Sequence, residues 1–230
     1  MSTATQPMPA RDARAIADAF RPAHPLGNRH AYFYTRAKLA SDPLYPGVCN
    51  ALRGCDAPLL DIGCGMGLLA HALRRDGQAM AYRGVDVVAR KIEHARLAAT
   101  RARLQDVAFE VLDLERGQPA HSGSVAILDV LQFIDPAAQD ATLAGAVAML
   151  TPGARLVIRT GLDDGSGRAR ITRGVDVFSR IVRWMPSSLR AYPRRDALQA
   201  RLHAAGLRAT FEPLYGRTPF NNWLVVAQRD

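Results

Sequence analysis

The stretch Leu59-Leu60-Asp61-Ile62-Gly63-Cys64-Gly65-Met66-Gly67-Leu68-Leu69-Ala70 decides the fold prediction. It places three alternate glycines between two apolar runs. Glycines after a buried strand let the chain turn sharply and let a ligand approach the backbone, and a following helix offers unpaired N–H groups. The stretch therefore predicts a strand, a ligand-binding turn and a helix.

The alternation of strand and helix continues beyond this stretch. Short continuous apolar runs separated by helical patterns predict a parallel sheet covered on both faces. The last two apolar runs, 207–214 and 222–228, are joined by too few residues for a helix, so we expect them to pair antiparallel. The other predicted strands are 59–62, 81–86, 107–112, 124–130 and 154–160. The predicted fold class is α/β, with a doubly wound, mostly parallel sheet of seven strands and a terminal antiparallel hairpin.

The 230 residues predict a single domain, 1–230, with four parts. Residues 1–54 form an N-terminal helical cap, with two helices broken at Ser41-Asp42-Pro43. Residues 55–160 form the core, and 195–230 the final helix and antiparallel strands. The long connection 161–194 carries an amphipathic pattern and is predicted to be a helical lid, because crossovers on the carboxyl side of such sheets lie near the ligand crevice.

The composition limits which partners, compartment and metal sites are expected for this protein. The net charge is +9, but only Lys38 and Lys91 are lysines, so 28 of the 30 basic residues are arginine. This bias favours a compositional origin of the charge over a nucleic-acid partner. No apolar run is long enough to span a membrane, the polar N-terminus does not resemble a secretory signal, and three cysteines fit neither a disulfide framework nor a zinc cluster. We therefore expect a cytoplasmic protein with no metal site.

The spacing of the glycines separates two kinds of ligand. The dinucleotide-binding fingerprint requires its third glycine at position 68, which is Leu68. Asp61, at the end of the first strand, would oppose a pyrophosphate and instead suits a ligand that carries an ammonium group. Both observations disfavour an NAD site.

Two further carboxylates follow the next two strands. Asp86 stands at the end of the second strand, where a carboxylate can accept hydrogen bonds from both ribose hydroxyls. Asp113 follows the third strand, where it can accept from an adenine amino group. Ammonium, ribose and adenine together describe S-adenosylmethionine.

These motifs, with Leu128-Asp129-Val130-Leu131 and Thr151-Pro152-Gly153-Ala154-Arg155-Leu156-Val157, resemble the class I S-adenosylmethionine-dependent methyltransferases. The resemblance covers residues 55–160, and 195–230 by pattern only. It implies a Rossmann-like sheet, with the glycine loop and Asp61 at the amino-acid end of the cofactor and Asp129 on the transfer side. The cofactor-binding residues that it implies are Asp61, Gly63, Cys64, Gly65, Gly67, Asp86, Val87, Asp113, Leu114, Asp129 and Leu131.

Two alternatives share this pattern. An NAD-dependent oxidoreductase would have the same fold, but it gives Asp61 no role. A non-catalytic S-adenosylmethionine-binding protein would have the same glycine loop, and the sequence shows no obvious catalytic base.

The methyl acceptor is less well defined. The run Asp129-Val130-Leu131-Gln132 lacks the two prolines of amino-methylating nucleic-acid enzymes, and no cysteine stands near it, so nucleic acid is disfavoured. We expect a small-molecule or acyl acceptor, methylated at a phenolic or carboxylate oxygen. The candidate catalytic residues are His30, Tyr34 and Gln132.

Two sequence segments bear on the acceptor. The pattern Tyr32-x-Tyr34-x-x-x-Lys38-Leu39-x-x-Asp42-Pro43-x-Tyr45 resembles methyltransferases of aryl-polyene pigment clusters, which implies an aromatic or polyene acyl substrate, free or bound to a carrier protein. Its rings form either an aromatic wall over the site or the packing of the N-terminal helices. The arginine-rich lid can meet an acidic carrier or an acidic lipid surface, or it can be a solvated helix face.

Overall fold

The computed structural model describes residues 5–114, 117–163, 191–216 and 221–229. The predicted amphipathic helix of the insertion lies outside the described residues. Three helices precede the sheet: α1 (Ala10–Asp18), α2 (His30–Ser41) and α3 (Leu44–Leu52). The predicted break between α2 and α3 is confirmed. At this break, the Asp42 carboxylate accepts a hydrogen bond from the N–H of Leu44, the first residue of α3, at 3.0 Å.

The predicted alternation of strands and helices is also confirmed. The parallel part of the sheet contains β1 (Leu59–Ile62), β2 (Tyr82–Asp86), β3 (Val107–Val111), β4 (Ser124–Leu128) and β5 (Arg155–Gly161). The helices between them are α4 (Leu68–Arg75), α5 (Ala89–Arg101) and α6 (Pro136–Ala148). The observed strand ends differ from the predicted ones by at most two residues, as is usual for such boundaries.

The chain closes with α7 (Arg195–Ala204), β6 (Leu207–Pro213) and β7 (Asn222–Arg229). Strand β7 lies between β5 and β6 and is antiparallel to both, which confirms the predicted antiparallel pairing of the last two strands. The strand order is β3-β2-β1-β4-β5-β7-β6. The connections therefore reverse direction between β1 and β4, and in such sheets ligands bind outside the carboxyl ends of the strands at that point.

Two apolar cores lie on opposite faces of the sheet. The first contains side chains from α1 to α5, for example Leu39, Leu52 and Leu69. The second contains side chains from α6 and α7, for example Leu143 and Leu198. Alternate residues of a strand face opposite sides, so Asp61 and Arg159 point toward the first core, beneath the N-terminal helices.

Candidate active site at the carboxyl ends of β1, β2, β4 and β5

The glycine loop after β1 is shaped by positive φ angles. Gly63, Gly65 and Gly67 have φ values of 75°, 58° and 75°. A Cβ atom at Gly63 would lie 2.3 Å from the Val130 side chain, and one at Gly67 would lie 2.5 Å from the ring of Phe109. Gly65 has open space where its Cβ would stand. The outer two glycines are thus required by packing, and the middle one presents bare backbone to the crevice.

Asp61 carries an unsatisfied carboxylate oxygen beneath this loop. Its Oδ2 accepts a 2.5 Å hydrogen bond from the hydroxyl of Tyr82, while the buried Oδ1 has no partner among the described residues. Burial raises the pKa of Asp61 to about 7, despite the Tyr82 hydrogen bond. A cationic group is the partner that this carboxylate lacks.

Asp86 links the glycine loop to the end of β2. Its Oδ2 accepts from the N–H of Gly65 at 3.0 Å, and its Oδ1 accepts from the N–H of Val88 at 2.8 Å. An ionised carboxylate has about four acceptor positions, so both oxygens can still accept from a ligand. The neighbouring Val87 is 56% exposed. Asp113 and Leu114 follow β3, half-buried.

A network of two cations and two carboxylates lies on the other side of the crevice. Arg159 of β5 is 3% exposed, and it donates to Asp129 through Nη1 and to Asp42 through Nη2, with both Asp42 oxygens at 3.2 Å. Lys38 of α2 donates to Asp42 at 2.6 Å, and its Nζ lies 3.6 Å from Asp129 Oδ2. We call Lys38, Asp42, Asp129 and Arg159 the acceptor-side network. Its formal charges cancel.

The protonation of this network follows from its pairing. Burial lowers the pKa of Lys38 and of Arg159, but the Asp42 and Asp129 carboxylates outweigh burial and leave both values raised. Burial raises the pKa of Asp42, but Arg159 and Lys38 reverse the effect and leave it lowered. Lys38, Arg159 and Asp42 are therefore charged at neutral pH.

Three tyrosines surround the network. The pKa of Tyr34 is raised by burial, with Lys38 opposing and Asp129 adding to the shift. Burial raises the pKa of Tyr45 and of Tyr192 as well, and both interact with Asp129. The Tyr192 ring packs against Gly161 at the end of β5, where a Cβ atom would lie 2.3 Å from it. These phenols keep their protons at neutral pH, so they suit hydrogen-bond donation better than the role of a base.

The structure separates the predicted catalytic candidates. His30 is exposed at the start of α2 and stacks on Tyr34 with ring centroids 6.3 Å apart, and Tyr34 itself packs against the first core. Gln132 is 3% exposed, and its Oε1 accepts from the Thr160 hydroxyl at 3.0 Å.

Two predicted positions are buried. The Gln132 side chain is bonded to Thr160, which faces the second core. The Leu131 side chain is fully buried in the second core. Both residues lie in a single 3-10 turn, Leu131–Phe133, and their predicted roles stay predictions.

Sequence reasoning did not include four residues among those of the site: Lys38, Asp42, Arg159 and Tyr192. A usable signal existed for Arg159, because a charged residue inside the apolar strand Arg155–Gly161 needs a buried partner. Lys38 and Asp42 stood in the pattern taken from aryl-polyene methyltransferases. Nothing in the sequence indicated which carboxylates they would meet.

Only the ends of the predicted lid can be described. Its last residues are anchored by Gln139 of α6, whose side-chain N–H donates to the carbonyl of Ala191 at 3.1 Å. Arg194 pairs with Asp196 at 2.6 Å, and Arg195 lies over the ring of Trp223 at 4.7 Å. These two arginines of the basic segment are therefore engaged within the chain, and residues 164–190 lie outside the described part.

Comparison with known proteins supports the family that the sequence resembles. Residues 59–153, which contain the glycine loop and Asp129, match the profile of a methyltransferase-domain family. The chain is 28% identical over 229 residues to the ubiquinone biosynthesis O-methyltransferase of Brucella anthropi, covering 91% of this chain and 87% of that protein. These matches support a class I S-adenosylmethionine-dependent methyltransferase. They give no support to the alternative of an NAD-dependent oxidoreductase.

Other comparisons agree with the fold of this methyltransferase. A second O-methyltransferase of ubiquinone biosynthesis, from Neisseria meningitidis, is 33% identical over 88 residues, which is 36% of this chain and 37% of that protein. The magnesium protoporphyrin IX methyltransferase of Synechocystis, solved with S-adenosylhomocysteine, has a TM-score of 0.65 at 17% identity and covers 96% and 94% of the two chains. The mitomycin 7-O-methyltransferase has a TM-score of 0.63 at 21% identity, covering 88% of this chain and 57% of that one.

Among the described residues, no helix is long and apolar enough to cross a membrane. In the same part of the chain, no group of three or more histidine, cysteine, aspartate or glutamate side chains is placed to hold a metal ion.

Proposed function

We propose that this methyltransferase transfers the methyl group of S-adenosylmethionine to a phenolic oxygen of an aromatic small molecule or aryl-acyl group. The observation that carries the choice of acceptor is the acceptor-side network. Its two cations are both matched by carboxylates, and it stands beside tyrosine rings. A neutral aromatic acceptor fits such a surface, whereas a carboxylate acceptor would require an unmatched cation.

The residues on the other side of the crevice fit the cofactor. The unpartnered Asp61 oxygen would hold its ammonium group, and the open backbone at Gly65 would accommodate its amino-acid end. Asp86 would accept from the ribose hydroxyls, with the exposed Val87 beside it and Asp113 and Leu114 near the adenine. When bound, the cofactor supplies an electrophilic methyl group on a sulfonium.

The protein contributes chiefly by positioning. In-line displacement at a methyl carbon depends on holding the two reactants in line at close range. Asp129, the residue directly after β4, belongs to the network and would stand between the cofactor and α2. Tyr34 and Tyr192 keep their protons and can orient the acceptor by hydrogen bonds.

The oxygen acceptor is further supported by the Brucella relative, which is an O-methyltransferase and is similar to this chain over nearly its whole length. The aryl-polyene context remains a proposal, supported by the fact that the pattern Tyr32 to Tyr45 supplies Tyr34, Lys38 and Asp42. A carrier protein as the donor of the acyl group also remains a proposal. A carboxylate acceptor is the second candidate, because arginines are frequent in residues 164–190.

Two measurements, made one after the other, test the proposal. Calorimetric titration with S-adenosylhomocysteine, with NAD as the control, should give saturable binding to the first alone. Incubation with S-adenosylmethionine and either 4-nitrocatechol or 4-nitrobenzoate should then release S-adenosylhomocysteine with the catechol only. Methylation of the benzoate in place of the catechol would contradict the phenolic acceptor while leaving the cofactor assignment intact.

A further inference from the structure

Asp129 has an unusual backbone conformation at the candidate transfer side. Its φ is +58°, and the other non-glycine residues with positive φ in the described ranges are Arg103 and Asp106, in the turn between α5 and β3. A left-handed residue with a side chain costs about 1–2 kcal/mol, and such strain persists only where the surroundings hold it in place. The contacts that hold Asp129 in this conformation are therefore the ones that fix the geometry at the end of β4.

Arg159 holds Asp129 through both its backbone and its side chain. The N–H of Asp129 donates to the carbonyl of Arg159 at 2.8 Å, and the Arg159 guanidinium donates to the Asp129 carboxylate. The same guanidinium holds Asp42 at the corner between α2 and α3. Asp42 and Arg159 are 117 positions apart, so this contact ties the helical cap to the carboxyl edge of the sheet.

Lys38 completes the connection from the cap. It bonds Asp42 tightly and faces Asp129 more loosely, at 3.6 Å, with its side chain 19% exposed. Along α2, His30, Tyr34 and Lys38 stand four residues apart and form one stripe. Fixing Asp42 and Lys38 therefore fixes the direction of the stripe that carries the candidate acceptor residues.

We propose that Arg159 is a positioning residue, which sets the geometry of methyl transfer by locking Asp129 and helix α2 together across the crevice. This inference rests on the proposed function, because it assumes that the acceptor binds between α2 and the end of β4. Arg159 itself is buried and is not expected to touch the acceptor. Its role is separate from that of the glycine loop, to which it makes no described contact.

Three variants test the inference. Arg159→Lys keeps the charge but loses the fork that reaches two carboxylates at once. The double variant Arg159→Met/Asp42→Asn removes a cation together with a carboxylate, which avoids leaving an unmatched buried charge. Arg83→Met/Glu110→Gln is the matched control, because it removes an ion pair of 2.6 Å between β2 and β3 that is more exposed.

The first readout is steady-state kinetics with 4-nitrocatechol. Misplacement of reacting groups by about 1 Å costs roughly 100-fold in rate, so we expect kcat of the double variant to fall by about that factor. Arg159→Lys should fall less, and the control should match the unaltered enzyme. The dissociation constant for S-adenosylhomocysteine should stay within about threefold in all of them, because the glycine loop, Asp61 and Asp86 are untouched. An unchanged kcat, or an equal loss of cofactor affinity, would overturn the inference.

The second readout does not depend on the acceptor. Hydrogen exchange of the amides of residues 128–131 and of α2, measured with S-adenosylhomocysteine bound, should become faster in the double variant but not in the control. Amides of the glycine loop should keep their protection. If 4-nitrocatechol is not methylated at all, the proposed acceptor is wrong, and unchanged exchange at 128–131 would then refute the positioning role of Arg159.

Discussion

The two sides of the crevice are built in opposite ways. The cofactor side uses bare backbone and two carboxylates that lie at the carboxyl ends of β1 and β2, so its parts are close in sequence. The acceptor side uses four charged side chains, drawn from α2, the corner after it, the end of β4 and the middle of β5. The first is a local device that a short motif can encode, and the second exists only when distant segments are packed together.

Because of this difference, the two sides of the crevice tolerate different amino-acid substitutions. On the cofactor side, positive φ and close packing leave the glycines few substitutes. On the acceptor side, the charges compensate one another, so single substitutions leave an unmatched charge while paired ones do not. Cofactor affinity and acceptor turnover should therefore respond to different substitutions, and three predictions test the cofactor side of this contrast.

The largest effect is expected for Asp86→Ala. The substitution removes the acceptor for the ribose hydroxyls and the bond that holds the Gly65 N–H. Hydrogen bonds to charged groups contribute about 1.5–3 kcal/mol each, so S-adenosylhomocysteine affinity should fall by about 100-fold. Calorimetry measures it, with Glu110→Ala on β3 as the control. Unchanged affinity would remove Asp86 from the site.

A smaller effect should distinguish two glycines of the same loop. Gly65→Ala adds a methyl group in open space facing the crevice, so it should weaken S-adenosylhomocysteine binding by on the order of tenfold, at a stability cost of about 1–2 kcal/mol for the left-handed backbone. Gly67→Ala forces a clash with Phe109 and should lower the melting temperature further. Thermal melts and calorimetry on both variants check this. Equal melting temperatures would show that the loop adjusts as a unit.

A third effect is a dependence of cofactor affinity on pH. The pKa of Asp61 is about 7 in the free protein, and a bound ammonium group would lower it, so binding requires loss of a proton below pH 7. Affinity for S-adenosylhomocysteine should therefore fall as pH decreases, by up to about tenfold per unit below the free pKa. Titrations from about pH 8 down to 5.5 measure this.

Asp61→Asn is the control for that titration, because the amide has no proton to lose. Its affinity should be lower at pH 8 and nearly flat with pH. A wild-type profile that is equally flat would show that Asp61 does not meet the ammonium group.

Much of the cofactor side could be predicted because its signals are local. Apolar runs followed by helical patterns predicted the sheet, and the spacing Gly63-x-Gly65-x-Gly67 predicted the turn, since backbone geometry limits which residues can stand there. The end of β4 was less predictable. Leu131 and Gln132 follow the strand as expected, but the 3-10 turn directs their side chains into the second core.

The sequence by itself determined the order of strands and helices, the antiparallel end of the sheet and the class of cofactor, because hydrophobic period and glycine placement act over a few residues. Tertiary structure alone decided which charges meet. A charged residue inside an apolar strand indicates that Arg159 needs carboxylate partners. Only packing of the α2–α3 corner onto the carboxyl edge of the sheet selects Asp42 and Asp129. Buried charges pair with the groups that are nearest in space, and the sequence alone does not give the distances between segments that are far apart along the chain.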